Sequence, residues 1–159
     1  MLRHVMMGAA AGAVGTVALN IATYVDMAVR GRPSSNMPAQ LVETVAEKAG
    51  VDLSKEGQGE QDSATQNRLS GLGALSGYLV GLGVGALYGL LRLRVRHVST
   101  PVASLGLGLS AMAASDVPIV SLGLSDPRTW GVSGWASDIV PHLAYGLLTA
   151  VAYDSFVKQ

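Results

Sequence analysis

Residues 69–93 read LSGLGALSGYLVGLGVGALYGLLRL, an apolar stretch in which five glycines recur at every fourth position. Because an α-helix turns once in 3.6 residues, glycines at this spacing line one face of a helix. A face without side chains lets a second helix approach closely, which is a common way for helices to associate in lipid. The five glycines are Gly73, Gly77, Gly81, Gly85 and Gly89.

A matching row of small and polar residues lies in an earlier apolar stretch. It begins with Gly8 and Gly12 and continues through Thr16 and Asn20 at the same spacing. We therefore expect these two helices to pack against each other through their glycine faces. The same motif also joins separate copies of a chain, so a homo-oligomer seam stays the alternative.

Four segments are long and apolar enough to be membrane spans, since a spanning helix needs about 20 mostly apolar residues. They cover about residues 4–29, 69–93, 100–124 and 135–156, and the last two contain acidic residues. The first begins like a secretory signal, but its apolar run is longer than that of a signal and shows no convincing cleavage site. The sequence therefore predicts an all-α integral membrane four-helix bundle, formed by residues 1–159 as a single domain.

The polar excursion between the first and second spans, residues 30–68, contains a predicted helix of its own. Asn36 followed by Pro38 is a typical helix start, because asparagine caps free N–H groups and proline suits the first turn. Apolar residues then recur at helical spacing, and Gly50 ends the segment. We expect a short amphipathic helix that lies on the bilayer or on the bundle.

The composition agrees with a membrane protein and narrows the possible functions. Charged residues make up 14% of the chain, against about 25% in a typical soluble domain. Lys+Arg and Asp+Glu are equal at 11 each, so no net field attracts nucleic acid, and we expect no nucleic-acid partner. The chain has no cysteine, which excludes disulfides, thiolate metal sites and cysteine nucleophiles.

A small set of polar residues lies within the predicted spans. At about 1.5 Å per residue, Asp116 of the third span and His142 of the fourth lie roughly 12 Å below the surface that holds the excursion. The polar residues of the first span approach the same surface, so we expect all of them to converge in one half of the bundle. The predicted cluster consists of Asn20, Tyr24, Asp26, Asp116, Asp138, His142 and Tyr145.

This polar cluster has two interpretations. The functional one is a proton- or ion-responsive site, because apolar surroundings favour a neutral histidine whereas a neighbouring aspartate favours a charged one. The structural one is a polar clamp in which Asp116 and His142 fix the register of two helices, while Asp26 and Asp138 lie at the membrane interface. Ionisable residues inside membranes are often functional, yet a single polar pair is also a common structural device.

The distribution of basic residues predicts the orientation of the chain. Four crossings place both termini on one side, together with the short link that carries Arg92, Arg94 and Arg96. The basic residues on this side are dense and close to the membrane, although the numbers on the two sides are similar. Since short basic segments stay inside, we expect both termini in the cytoplasm and the protein in the plasma (inner) membrane of a bacterium.

Motifs of common enzymes are absent from the sequence, which has no GxSxG, HExxH or Walker pattern. We expect no metal and no cofactor. The leading hypothesis is a non-enzymatic accessory or structural subunit that contacts the lipid bilayer and either a second copy or another membrane protein. The alternative is a small proton- or ion-linked transporter or channel that uses the Asp/His cluster, and a membrane enzyme ranks third.

The C-terminal hairpin resembles a known family. The resemblance is carried by LGLSDP at residues 122–127, then Trp130, Trp135, Asp138, His142 and Gly146. This arrangement is similar to the LG…P…W…H pattern of the YagU-like family of small bacterial inner-membrane proteins. The resemblance implies a multi-span inner-membrane protein with a link to acid resistance, and the excursion at residues 30–68 departs from the family pattern.

Overall fold

The computed structural model describes residues 1–51, 53, 61–95 and 97–158. Within these residues the chain is all-helical and contains no strand. A short 3-10 helix, Pro127–Thr129, connects the last two α-helices. The five α-helices are α1 (Leu2–Arg30), α2 (Met37–Lys48), α3 (Gln61–Leu91), α4 (Thr100–Ser121) and α5 (Gly131–Val157).

Three of these helices, α1, α3 and α4, are long and apolar enough to cross a membrane. The fourth predicted span, residues 135–156, lies within α5, which has the length but is not among the three. The first half of α5 is less apolar, because it carries Ser133, Ser137, Asp138 and His142. Crossing by α5, and with it the complete four-helix membrane bundle, therefore stays a prediction.

Neighbouring long helices run in opposite directions. Helix α1 packs against both α3 and α5, and α5 also packs against α4. The start of α1 lies beside the ends of α3 and α5, where His4 contacts Gly89 and Tyr153. The start of α4 lies beside the end of α5, through Thr100 and Asp154. Both termini therefore lie at one end of the bundle, here the terminal end, whereas α2 and the α4–α5 connection lie at the far end.

The predicted short helix of the excursion is confirmed. Helix α2 follows Asn36 and has Pro38 in its first turn, but the Asn36 side chain makes no capping hydrogen bond, and Ser35 Oγ instead accepts one from the Met37 N–H at 3.2 Å. Gly50, at φ 77°, turns the chain just after the helix in a conformation that favours glycine. Helix α2 lies on the bundle, because its first turn contacts α3 at Gly73. The rest of the excursion includes residues 52 and 54–60, which lie outside the described residues.

The connection from α4 to α5 is a compact turn. The Asp126 carboxylate accepts a hydrogen bond from the Arg128 backbone N–H at 2.9 Å, which starts the 3-10 helix. The indole N–H of Trp130 donates to Ser125 Oγ at 2.8 Å. The rings of Trp130 and Trp135 pack with their centres 5.0 Å apart. These contacts bring α5 back alongside α4.

The buried core is composed mainly of small residues and tyrosines, whereas many large aliphatic side chains point outward. Leu79, Leu87 and Val102 are among the exposed ones. Large apolar side chains gain little free energy by moving from lipid into the protein interior, because lipid tails are apolar as well. Helices in a membrane therefore associate through small residues and hydrogen bonds. The buried hydrophobic core comprises Ala11, Leu69, Tyr88, Ala103, Leu107, Ala111, Ile119, Tyr145, Ala150 and Tyr153.

Candidate functional site

Three ionisable side chains meet between α4 and α5, in the half of the bundle near the far end. Asp116 lies on α4, and Asp138 and His142 lie one turn apart on α5. Ser115 of α4 joins them, because its hydroxyl lies 3.4 Å from both His142 Nε2 and Asp116 Oδ1. We call these four residues the α4–α5 polar site.

Both nitrogens of the His142 ring have partners. Nδ1 lies 2.8 Å from the backbone oxygen of Asp138 and 3.1 Å from its Oδ1. A carbonyl oxygen can only accept, so Nδ1 carries a hydrogen. Nε2 faces Ser115 Oγ, a hydroxyl that can either donate or accept. The Ser115 hydroxyl donates its one hydrogen to the Met112 carbonyl oxygen at 2.9 Å, so its oxygen can accept from Nε2 only when Nε2 carries a hydrogen.

The two carboxyl groups of the site need a proton donor. Asp138 Oδ2 is buried and has no hydrogen-bond partner among the described residues. An ionised carboxylate only accepts hydrogen bonds, so two ionised carboxylates cannot satisfy each other. If one of the pair is protonated, it donates to the other and their mutual repulsion disappears. A proton shared by Asp116 and Asp138 would therefore remove their repulsion and could give Asp138 Oδ2 a hydrogen bond.

A close approach of the α4 and α5 backbones holds this site together. A methyl group placed on Gly146 would lie 3.0 Å from the Cα atom of Gly108, and one on Gly108 would lie 2.8 Å from the His142 carbonyl oxygen. Neither helix can move away without separating His142 from Ser115. A packing role for Gly108 and Gly146 was not predicted from the sequence. The feature that could have indicated it is a glycine in each of the two predicted spans, α4 and α5.

The structure divides the predicted polar cluster into separate groups. The Asn20 side chain donates to the Tyr78 hydroxyl at 3.3 Å, on the α1–α3 side. Tyr24 is 63% exposed and makes no hydrogen bond with the described residues. Neither residue therefore lies with Asp116, Asp138 and His142.

Asp26 is bound by two arginines at the far end. It pairs with the Nε atoms of Arg30 and Arg32, both at 2.5 Å. Arg30 also donates to the hydroxyls of Ser133 and Ser137 on α5. The Ser137 hydroxyl in turn lies 3.3 Å from Asp26 Oδ2. Asp26 therefore belongs to an ionic contact that joins the end of α1 to the start of α5, and not to the α4–α5 polar site.

Tyr145, the last member of the predicted cluster, connects α5 to α3. It is 1% exposed, and its hydroxyl donates to the Gly81 carbonyl at 2.7 Å. Tyr153, two turns later, is equally buried and donates to the Gly89 carbonyl at 3.5 Å. Two tyrosines eight residues apart thus reach two carbonyls eight residues apart, on helices that run in the same direction.

The predicted glycine rows of α1 and α3 lie against each other over part of their length. A methyl group on Gly85 would lie 2.7 Å from the Gly12 Cα atom, and one on Gly8 would lie 3.0 Å from the Gly89 Cα atom. Gly81 faces Thr16 at the next turn. Two members of the row lie elsewhere: Gly73 contacts α2, and Gly77 has no atom near its missing side chain.

A second polar group, at the terminal end, was not found in the sequence analysis. Arg92 Nη1 donates to the Tyr88 hydroxyl at 2.7 Å and pairs with Asp154 Oδ1 at 3.2 Å. His4 Nδ1 lies 2.7 Å from the Tyr153 hydroxyl. The available signal was the spacing of four between Tyr88 and Arg92, but Tyr153 and Asp154 come from a distant part of the chain.

Burial lowers the pKa of Arg92, but its hydrogen bond with Tyr88 and the charge of Asp154 outweigh that effect, and the pKa is raised overall. Arg92 is therefore cationic at any physiological pH. The terminal end thus holds a permanent positive charge beside two tyrosines.

No group of three His, Asp or Glu side chains arranged to hold a metal occurs within the part of the chain that the structure describes.

Comparisons with known proteins give no match to this chain: no family model, curated protein or solved structure matches it. The resemblance of residues 122–146 to the YagU-like family therefore stays a prediction. The contacts described above carry the functional argument: at the α4–α5 polar site and at the terminal end, ionisable side chains from distant parts of the chain come together.

Proposed function

We propose that this chain crosses the membrane four times and is a small proton-linked membrane protein, of the transporter or channel type, that works through the α4–α5 polar site. The observation that carries the proposal is the contact between two helices at His142, whose Nδ1 pairs with Asp138 Oδ1 at 3.1 Å and whose Nε2 lies 3.4 Å from the hydroxyl of Ser115, next to Asp116. Ionisable residues are costly inside a membrane and are usually retained there for a function such as proton relay.

The position of α5 supports a fourth crossing. It lies between two apolar helices of spanning length, α1 and α4, and packs along both. Its buried tyrosines, Tyr145 and Tyr153, donate to carbonyls of a third such helix. If α1, α3 and α4 cross the hydrocarbon layer, α5 has to share their depth to keep these contacts. Its polar residues then face the bundle rather than lipid.

The chemistry of the site follows from the low dielectric of such an interior. Moving a proton among the two carboxyl groups and the histidine of the site costs much less free energy than changing the total charge of the site. A proton that arrives at His142 Nε2 has Ser115 Oγ as its acceptor. A proton on Asp116 or Asp138 would allow one carboxyl group to donate a hydrogen bond to the other, which two ionised carboxylates cannot do. Proton uptake therefore changes the hydrogen bonds that join α4 to α5, and this couples protonation to the contact between the two helices.

The experiment is a proton-flux measurement on reconstituted protein. Purified chain in liposomes that contain a pH-sensitive dye should show flux driven by a pH gradient. The double variant Asp116→Asn/His142→Ala should lose it, because Asn cannot carry the proton and Ala has no ring nitrogen. The matched control is Asp126→Asn/His97→Ala, which makes a similar change in the exposed links, and it should keep the flux.

Infrared difference spectra provide a second measurement. They should show a protonated carboxyl band that changes with pH and is absent from Asp116→Asn and Asp138→Asn. A purely structural clamp would stabilise the protein without such a titrating band. Unchanged flux in a double variant that elutes as folded protein would overturn the proposal, as would a wild-type chain without flux.

The orientation that we propose places both termini in the cytoplasm of the cell that carries this plasma-membrane protein. The terminal end holds Arg3, Arg92, Arg94 and Lys158, and Asp154 is the one acidic side chain that the described residues place there. Short basic segments beside spans stay on the cytoplasmic side.

A second candidate is a non-enzymatic accessory or structural subunit, in a homo-oligomer or with another membrane protein. The observation in its favour is that Gly77 and Gly83 of α3 and Gly106 of α4 have no atom within 4 Å of a missing side chain. Glycine inside a helix lowers the stability of that helix. A second helix that packs against these outward positions would compensate for the loss through close contact between the backbones.

A further inference from the structure

A cavity of about 300 Å³ opens at the terminal end, between the start of α1 and the ends of α3 and α5. Its lining combines basic, aromatic and aliphatic side chains. Its volume lies at the lower end of the range of small-molecule sites, about 300–1,000 Å³. The lining residues are His4, Arg92, Leu93, Tyr153 and Val157.

The cation in this cavity is held in place by its neighbours. The Arg92 guanidinium carbon lies 5.6 Å from the Tyr88 ring centre and 5.4 Å from the Tyr153 ring centre. Asp154 pairs with Arg92 Nη1, and His4 shares the hydroxyl of Tyr153. An arginine that is oriented in advance loses little conformational freedom when it binds, and its planar fork matches the oxygens of a phosphate group.

The charge around the cavity points to an anionic ligand. At this end the described residues include four Lys and Arg side chains and one acidic side chain, Asp154. Basic pockets between transmembrane helices on the cytoplasmic side are a common form of anionic headgroup site. The remaining wall, Leu93 and Val157, is aliphatic and suits the glycerol and the first carbons of acyl chains.

We infer that this cavity binds the headgroup phosphate of an anionic glycerophospholipid. The inference rests on the proposed membrane arrangement, because Arg92 and Val157 lie at the ends of helices whose interiors occupy the hydrocarbon layer. The cavity then lies at the level of lipid phosphates. Arg92 binds the phosphate oxygens, His4 adds a second polar contact, and the acyl chains follow the aliphatic wall into the bilayer.

The test is a lipid titration of the purified full chain in detergent, with phosphatidylglycerol and, in parallel, phosphatidylcholine, read by native mass spectrometry. The wild type should bind one phosphatidylglycerol in preference to phosphatidylcholine. Val157→Glu places a negative charge at the cavity wall, on an end residue that is 38% exposed, and should weaken phosphatidylglycerol binding by about tenfold or more. Ser155→Glu adds the same charge on another face of the last turn and should change it little.

A second pair of variants tests the cation. Arg92→Gln should lose the preference for phosphatidylglycerol, whereas Arg94→Gln, with the same charge change outside the cavity, should keep it. Equal binding by wild type and Val157→Glu, or equal losses in both members of a pair, would overturn the inference. Displacement of the lipid by excess inorganic phosphate would also overturn it, since it would identify a free anion as the ligand.

The membrane arrangement has its own separate readout. Extraction of the chain from native membranes by alkaline carbonate would refute the proposed function itself. A chain that resists extraction but binds phosphatidylglycerol equally well with and without the Val157→Glu change would refute the lipid site alone.

Discussion

At Gly85, the backbones of α1 and α3 lie so close together that no side chain fits between them. A methyl group there would meet Gly12 and the Gly8 carbonyl oxygen, which are backbone atoms and cannot turn aside. Two residues earlier on the same helix, Gly83 faces open space. Close contact between backbones strengthens dispersion attraction, which matters most where the hydrophobic effect gives no help.

This difference yields a prediction for one pair of variants. Gly85→Ala should lower the free energy of unfolding in detergent by about 1–3 kcal/mol, because the helices have to separate to admit the methyl group. Gly83→Ala should leave it unchanged or raise it by up to about 1 kcal/mol, because its methyl group meets open space and alanine favours a helix. Denaturant unfolding followed by circular dichroism measures both. Equal effects of the two variants would contradict the close packing of α1 on α3.

Helix α5 is the element on which both the site and the membrane arrangement depend. It supplies Asp138 and His142 to the polar site, and its tyrosines connect it to α3. Its polar half explains why length and hydropathy identify three spans and not four. A helix whose polar residues face its neighbours needs fewer apolar residues, because lipid contacts just one side of it.

The crossing of α5 can be measured directly, since the chain has no cysteine. Single cysteines at Ser34, Ser99 and Lys158 should react with a membrane-impermeant maleimide from different sides in sealed vesicles. If α5 crosses, Lys158→Cys is labelled from the same side as Ser99→Cys and from the side opposite to Ser34→Cys. If α5 stays on one side, Lys158→Cys is labelled together with Ser34→Cys. The same data show which side faces the cytoplasm.

The whole molecule has a small, closely packed interior and an outer surface rich in large aliphatic side chains. Val102 and Leu109 of α4 flank the open Gly106 on that surface. Contact with lipid tails is sufficient for an apolar surface of this kind, but a glycine at an outward position also allows another helix to approach closely.

A photoreactive amino acid at Val102 should form a specific adduct in native membranes, either with a second copy or with another membrane protein. The same probe at Ile21, an exposed position on α1, whose glycines are all packed against other helices, is the control for random collisions. Adducts of equal yield at both positions, or a chain that stays monomeric at each, would count against the subunit hypothesis.

Sequence reasoning succeeded where the information is local. Apolar length identified the long helices, and the start at Asn36 and the glycine at position 50 identified α2. Depth counting placed Asp116 and His142 at the same level, because the rise per residue is the same in every helix. It also placed Asp26 and Tyr24 near that level, but depth does not tell which face of the bundle a side chain occupies.

The sequence predicted that the chain is helical, that it has four spans, of which the structure supports three, and which polar residues lie within the long helices. Each of these follows from composition and periodicity within one segment. The tertiary structure alone decided which residues become partners. Asp26 pairs with Arg30 and Arg32, and Arg92 meets Tyr153 and Asp154. These choices depend on the rotation and neighbours of whole helices, which are set by the packing of several segments together and are not recorded in any one of them.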